Sequence, residues 1–330
     1  MSMRSTYPDN LSEKMPVILA DGLDVAGKER SLVRLALTAM RPHQWVKNLF
    51  IFAPLLFGGK LTDLSAIAQT FQAFGVFCLL SSALYIFNDL LDADEDRAHP
   101  EKCKRPISSG EFPLRTALVL ATVLAAASSL LAWQLGTSFF LVGLLYLGLT
   151  LAYCLGLKRA IVLDCMMIAS GFVLRVVGGA VAIAVAPTHW LIACAFLLAL
   201  FLAFSKRRQE LLMLSDNASD HRKVLGQYSV GYLDQVNTIL IGSAIVCYAL
   251  YSVAPETVER FGTDALIYGT VFVIYGMFRY LALINNPVNG GNPSRMLLSD
   301  RPLMITIAIW SLYNAVLIYR FALFGLFGSF

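Results

Sequence analysis

Residues 116–157 read TALVLATVLAAASSLLAWQLGTSFFLVGLLYLGLTLAYCLGL, a stretch without one Asp, Glu, Lys or Arg. A helix crossing a bilayer needs roughly 20 mainly apolar residues, so this run is too long for one span and right for two. Gly136-Thr137-Ser138 lies at its centre and supplies the turn. Outward from it, charge-free runs recur at 64–88, 176–205, 235–255 and 302–319. Over all 330 residues, 57% are hydrophobic, only 15% are charged, and the mean hydropathy is +0.66. Soluble domains carry about 25% charged residues. A globule this apolar has too little polar surface to face water, and too much apolar surface to stay disordered. The pattern predicts an all-α polytopic membrane protein.

Nine membrane-spanning helices are expected, at about 44–60, 66–88, 116–136, 138–157, 161–186, 189–212, 235–254, 263–284 and 303–326. The first is the least regular: it contains Lys47 and Pro54 and ends at Gly58-Gly59. Ahead of it, residues 1–35 form a polar arm without the apolar core of a signal peptide, leaving 36–330 as a single transmembrane domain. With the N-terminus in the cytoplasm, 21 of the 26 Lys and Arg residues lie on the cytoplasmic side, and only Lys60 and Arg260 fall in the opposite loops. That is the positive-inside pattern of a multi-pass protein of the cell (inner) membrane, and it supports an odd number of spans.

The net charge of +4 is therefore an average that conceals a strongly basic cytoplasmic face, suited to anionic headgroups or substrates. Nucleic acid is excluded as a partner, because no soluble module combines basic and aromatic residues. The six Cys form no CxxC pair and lie mostly inside spans, where Cys serves as a small apolar residue; free thiols are expected. The four His are scattered without metal-ligand spacing. Neither a GxxxxGK[ST] phosphate loop nor a G-x-S-x-G elbow occurs.

Directly after the second span comes Asn88-Asp89-Leu90-Leu91-Asp92-Ala93-Asp94-Glu95-Asp96-Arg97. Asp89, Asp92 and Asp96 are spaced i, i+3, i+7, which places them on one face of a continuous helix. Three carboxylates in one stripe repel unless a cation sits between them, and Mg2+ bridges carboxylates to phosphate oxygens. A charge run at a helix end is ordinarily a solvated loop. Here acids begin at the membrane boundary, where they are costly, and cations follow at once in Lys102-Cys103-Lys104-Arg105. Metal-bound diphosphate beside basic side chains stabilises a leaving group.

NDLLDADED resembles the NDxxDxxxD motif of the UbiA superfamily of intramembrane prenyltransferases, and KRPISSG at 104–110 resembles its basic continuation. The resemblance implies a nine-helix transmembrane bundle with a central cavity open to the cytoplasmic side. It implies Mg2+ on Asp89, Asp92 and Asp96, with diphosphate against Asn88, Lys104 and Arg105. Other segments are similar to one branch, the decaprenyl-phosphate phosphoribosyltransferases of cell-wall arabinan synthesis. They are RPHQWVKNLFIFAPLLF at 41–57, Tyr153 with Lys158-Arg159 and Asp164, GFVLRVVGGA at 171–180, KRRQEL at 206–211 and SDRPL at 299–303. This likeness implies phosphate binding by Lys47 (with Arg41 or Gln44), Tyr153, Lys158 and Arg159. The plain alternatives are snorkelling to headgroups for Lys47 and a positive-inside anchor for Lys158-Arg159.

Asp164 and Arg175 are expected on one helix, within about 20° of the same direction but about 16 Å apart along the axis. They cannot pair with each other, so each needs its own partner. Two readings stand: ion pairs to neighbouring helices, or a polar cavity with Asp164 on sugar hydroxyls or metal and Arg175 on a phosphate. Gly171, Gly178 and Gly179 share the stripe and leave room for a ligand or a helix. At the end of the sixth span, aromatic prenyltransferases of the superfamily carry a second acidic motif for a polyprenyl diphosphate. This chain has Lys206 and Arg207 there, with Glu210 the sole acid. Asp216 and Asp220 do spell DxxxD, but in a polar loop farther out, and Arg295, Asp300 and Arg301 belong to a Gly/Pro/Asn-rich loop before the last helix.

The expected activity is a Mg2+-dependent transfer of 5-phosphoribose from 5-phosphoribosyl 1-diphosphate to a polyprenyl (decaprenyl) phosphate lipid. Asp89, Asp92, Asp96, Lys158 and Asp164 form its catalytic set, and Arg175, Lys206, Arg207 and Glu210 join the substrate-binding residues. An aromatic prenyltransferase is the first alternative, disfavoured by the missing second acidic motif. An anion transporter predicts more charges at the midplane than the 164/175 pair. Nothing in the sequence sets a subunit count, and a homo-oligomer is compatible with it.

Overall fold

The computed structural model describes residues 31–98, 101–214, 224–285 and 299–327. Helices and their connections make up these residues, with no strand among them. The chain opens with α1 (Leu32–Met40), followed by a 3-10 helix (Pro42–Phe52) that runs into α2 (Ala53–Phe57). Next, α3 (Leu64–Leu91) starts on Asp63, whose carboxylate accepts from the N–H groups of Ser65 and Ala66 at 3.0 and 3.2 Å. Those bonds, that from Ala66 above all, hold the Asp63 carboxyl below its ordinary range. The short α4 (Ala93–Arg97) follows.

The run at 116–157 is two helices, α5 (Leu114–Gln134) and α6 (Thr137–Leu155). Gly136 reverses the chain between them with φ 116°, a value open to glycine alone. The rest of the bundle is α7 (Leu163–Ala182), α8 (His189–Leu214), α9 (Val230–Val253), the short α10 (Pro255–Phe261), α11 (Thr270–Asn285) and α12 (Arg301–Phe327). Eight helices among the described residues are long and apolar enough to cross a membrane. Their outer faces expose Leu118, Val119, Val123, Leu130, Leu141 and Leu145, a surface matched to lipid chains. All six cysteines are free thiols, as expected.

The expected first span, 44–60, is built differently from the other eight. Most of it is 3-10 helix and only its last turn is α. Three-ten runs beyond 3–4 residues are uncommon, and this one is pinned by its neighbours. Trp45 Nε1 donates to Ser82 Oγ at 3.0 Å, and Asn48 Nδ2 donates to Ser81 Oγ at 3.3 Å. The Ile51 carbonyl lies so close to α7 that a Cβ on Gly179 would sit 2.1 Å from its oxygen. A Cβ on Gly178 would sit 2.8 Å from the Phe77 ring. Small residues let helices approach where no hydrophobic force drives them together. The room left by Gly178 and Gly179 is thus filled by protein.

Helix α7 is central, packed on α3, α6 and the 3-10 helix on one side and on α8 on the other. Phe172, Phe201, Leu233 and Tyr280 join α7, α8, α9 and α11 into one core; Phe77, Phe139 and Tyr146 join α3, α6 and α7 into a second. The end of α3, the start of α7 and the end of α8 meet at one end of the bundle, linked by Lys158–Asp92 and Arg207–Asp164 contacts. Asp216, Asp220 and Arg295 lie outside the described residues.

Candidate active site

The acidic motif does not form one continuous helix face. Helix α3 ends at Asp92, which has φ −96° and ψ 7°, and α4 restarts at Ala93. The Asp92 carboxylate caps no backbone N–H there, and i to i+4 bonds still run from the Asp92 N–H to Asn88 and from the Asp96 N–H to Asp92, at 2.9 and 2.8 Å. Asp89 and Asp96 still meet one shared cation, Arg105, whereas Asp92 turns to Lys158. Arg41 Nη2 grips both oxygens of Asp89, at 2.5 and 2.7 Å. Arg105 Nη1 donates to Asp89 Oδ1 at 3.0 Å and also to Asp96 Oδ2. Lys102 Nζ stands 3.6 Å from Asp96. Asp92 takes Lys158 Nζ at 2.5 Å. Asp89 and Asp96 are each 2% exposed, so charge neutralisation by these cations is obligatory rather than decorative.

The structure thus assembles Asp89, Asp92, Asp96, Arg105 and Lys158 as the sequence led us to expect. It does not bring Lys104 to them. Lys104 is exposed and pairs with Glu101 at 3.6 Å, and Lys102 takes the expected place. The reason is local: residues 102–104 form a 3-10 turn, in which positions three apart share a face. Lys102 therefore points with Arg105, and Lys104 points away. Among the described residues Arg159 pairs with the exposed Glu95, at 3.5 Å, and Asn88 contributes its backbone carbonyl to the Asp92 N–H at 2.9 Å. Arg41 has φ 55° although it precedes Pro42, a position that favours extended backbone; its two-oxygen grip on Asp89 opposes that strain.

Asp164 and Arg175 do not pair with each other. Asp164 is fully buried and accepts from Arg207 Nε at 2.6 Å and from the Tyr228 hydroxyl at 2.7 Å. Arg207 Nη1 also donates to Glu210 at 2.6 Å, and Lys206 stands 3.6 Å from the same carboxylate. Tyr153 is near enough to Arg207 to interact electrostatically. For Asp164, then, the interhelical ion pair is realised. Arg175 differs: its donors go to Asn48 Oδ1 at 2.7 Å, the Gly171 carbonyl at 2.8 Å and the Tyr146 hydroxyl at 2.7 Å. Its guanidinium also lies over the Tyr146 and Phe172 rings, at 4.8 and 5.2 Å. Each of these partners is neutral. Lys47 lies close by, and its strongest charge interactions are with Arg175 and Arg41, both cations. Nothing local in the sequence marks Asn48, Tyr146 or Tyr228 as site residues, because each is tied to the site by long-range packing.

No three His, Cys, Asp or Glu side chains among the described residues group tightly enough to hold a metal by themselves. The donor chemistry nevertheless fits Mg2+. This ion is usually held by one or two carboxylates together with substrate phosphates, not by an all-protein cage. Asp89 and Asp96 share one Arg105 nitrogen, so two carboxylate oxygens already converge on a single cation. A separate shallow cleft, lined in part by Phe57, Val185, Tyr251 and Arg260, lies at the opposite ends of the helices.

The chain matches the UbiA prenyltransferase family over residues 49–312. It is 35% identical over 295 residues to a decaprenyl-phosphate phosphoribosyltransferase of Mycolicibacterium smegmatis, covering 86% of this chain and 92% of that one. It is 32% identical over 324 residues to a protein of the same name from Corynebacterium glutamicum, covering 96% and 92%. Among solved structures it resembles a UbiA homologue from Archaeoglobus fulgidus bound to DMAPP and Mg2+, with a TM-score of 0.65 and 19% identity, covering 86% of this chain and 98% of that one. The last likeness shows the fold, and the first three show the lineage: the chain belongs to the UbiA prenyltransferase family.

Proposed function

We propose that this membrane transferase moves 5-phosphoribose from 5-phosphoribosyl 1-diphosphate to a polyprenyl phosphate, with release of diphosphate. The observation that carries the reading is positive charge, buried at Arg175 and half-buried at Lys47, without a carboxylate partner among the described residues. Arg175 is 5% exposed and bonded only to neutral acceptors, and Lys47 has cations as its charged neighbours. A buried charge calls for a counter-charge, and a donor with a phosphate besides its diphosphate supplies one. An aromatic prenyltransferase has no use for that extra cation pair, and it needs acids where this chain has Lys206 and Arg207. The decaprenyl-phosphate phosphoribosyltransferases of two actinobacteria match most of the chain, which supports the same substrate class.

Asp89, Asp92 and Asp96 would hold Mg2+, which offsets the charge developing on the leaving diphosphate. Arg41, Lys102, Arg105 and Lys158 contact these carboxylates and are placed to turn to phosphate oxygens. Arg175 and Lys47 take the remaining phosphate of the donor. The acceptor phosphate is already anionic at neutral pH, so no side chain has to remove a proton from it. Catalysis rests on positioning and on fixed charge in a water-poor site.

The same reading places the site and the N-terminus on the cytoplasmic side, with the cavity opening there, because that side gathers the Lys and Arg. It also counts residues 42–57 as a ninth crossing. Eleven residues of 3-10 helix and five of α-helix rise about 30 Å, the thickness of the hydrocarbon layer. The test is direct. Purified protein is incubated with Mg2+, labelled phosphoribosyl diphosphate and a polyprenyl phosphate. Label in the lipid phase, abolished by EDTA and by Asp92→Ala, is the expected result. No transfer, alongside activity with a polyprenyl diphosphate and an aromatic acceptor, would sink the proposal.

A further inference from the structure

Val162 is a strained point beside the site. It has φ 66° and ψ −48°, and the Leu163 N–H donates to the Ile161 carbonyl at 2.7 Å. That is a γ-turn of positive φ, a rare and strained form. A β-branched side chain at positive φ is an outlier in its own right, and strain of this kind persists only where surroundings over-determine it. The turn has two neighbours that matter. Lys158, four residues before, holds Asp92 at 2.5 Å. Asp164, two residues after, is the buried partner of Arg207.

A single side chain from α9's approach segment braces the turn. The Tyr228 hydroxyl accepts the Val162 N–H at 2.7 Å and donates to Asp164 Oδ1 at 2.7 Å. Its ring is buried, edge-on to Phe204 at 6.2 Å and stacked on Tyr232 at 6.0 Å, so the hydroxyl has little freedom to drift. With both its donor and acceptor roles filled, it fixes the strained residue and the acid beyond it at once.

We propose that Tyr228 is a positioning residue, whose hydroxyl holds the Val162 turn in its strained form so that Lys158 is aimed at the diphosphate-binding carboxylates. The inference rests on the reading above for the identity of the ligand, diphosphate. Glycine adopts positive φ without steric cost. In Val162→Gly the turn therefore keeps its shape unaided. If Tyr228 matters only as a buried hydrogen bond, Val162→Gly cannot compensate for its loss, because Asp164 stays short of one donor.

The test uses the full chain in detergent with Mg2+, as wild type, Y228F, V162G and V162G/Y228F. Two quantities are read: the acetylation rate of Lys158 by a small amine-reactive reagent, resolved by peptide mass, and the affinity for inorganic diphosphate. Y228F should raise the first and weaken the second by roughly tenfold, V162G should leave both within about twofold, and the double variant should recover to within about threefold of wild type. Y228F removes one oxygen and keeps the ring. Should it still fail to accumulate in membranes, recovery of its yield by V162G is the same rescue. Unchanged Lys158 labelling in Y228F, or a double variant no better than Y228F by either measure, overturns the proposal. Phosphoribose transfer is followed on the same samples. A wild-type protein that labels and binds as expected but transfers nothing defeats the functional reading and leaves the positioning role standing.

Discussion

Replacing Arg207 by Met removes a cation from the dry interior while keeping most of its volume. The side chain is 1% exposed and Asp164 0% exposed; Nε meets Asp164 at 2.6 Å, and Nη1 meets Glu210 at 2.6 Å. Afterwards Asp164 keeps the Tyr228 hydroxyl as a donor but loses the positive charge that pays for its ionisation. Removing one member of a buried pair costs about 3–5 kcal/mol. Removing both charges, in Arg207→Met with Asp164→Asn, should return most of that, since neutral replacement of a buried pair is often close to free. The coupling between the two sites is therefore expected at about 3 kcal/mol or more. Arg207→Lys should fall between, because one ammonium cannot present two fixed donors to two carboxylates. The assay is SDS titration of the protein in mixed micelles, followed by tryptophan fluorescence and far-UV circular dichroism. Wild-type unfolding of Arg207→Met, or a double variant that merely sums the singles, would show that Arg207 does not neutralise Asp164.

Gly179→Ala places a methyl 2.1 Å from the Ile51 carbonyl oxygen, whereas at Gly171 the nearest atoms are 3.5 Å away. The first should cost about 1–3 kcal/mol through overpacking and the second almost nothing, by the same SDS titration; equal costs would contradict the close approach. Lys102→Ala should slow phosphoribose transfer by roughly tenfold, and Lys104→Ala by less than about twofold, as expected for a charge on the diphosphate side against one in solvent. Steady-state rates decide it, and the reverse order would show that the 3-10 turn faces the other way. Asp300 accepts from Arg279 at 2.8 Å and from the Leu303 N–H at 2.9 Å, and the Arg279 bond above all holds its carboxyl below the ordinary range. Its contribution to stability is full above the ordinary carboxylate pKa and disappears as the pH falls through the lowered value. Asp300→Asn should therefore flatten the acid limb of the stability–pH curve, more visibly at low salt; superimposable limbs would count against it.

Much of the fold was legible because membrane helices must satisfy their own backbone, which makes length and hydropathy decisive. The division at Gly136 and the eight long helices follow from that constraint. NDLLDADED, read with KRPISSG, was specific enough to imply the superfamily, and the family match bears it out. What stayed hidden was geometry finer than a helix. The i, i+3, i+7 spacing presumes an unbroken α-helix, and Asp92 ends one. Lys104 looked equivalent to Lys102 until a 3-10 turn separated their directions. That Asp164 and Arg175 could not pair with each other followed from helix rise alone, but their partners Arg207, Tyr228, Asn48 and Tyr146 come from other helices. No local pattern encodes which helix arrives next to which.

In the Pro42–Phe52 segment, residues three apart point the same way, because one turn holds three of them. Trp45 reaches Ser82, Asn48 reaches both Ser81 and Arg175, and Ile51 is buried in the core of α3, α6 and α7. Wound as an α-helix, the same three would fan apart by about 60° at each step, and the segment would shorten by about 5 Å. The segment works as a ruler with marks at every third residue. Substitutions between the marks leave it readable, but deleting one residue turns everything beyond by a third of a revolution. It would pull Asn48 away from Arg175 and Ile51 away from Gly179 together. Length, more than composition, is what this stretch of the chain has to preserve.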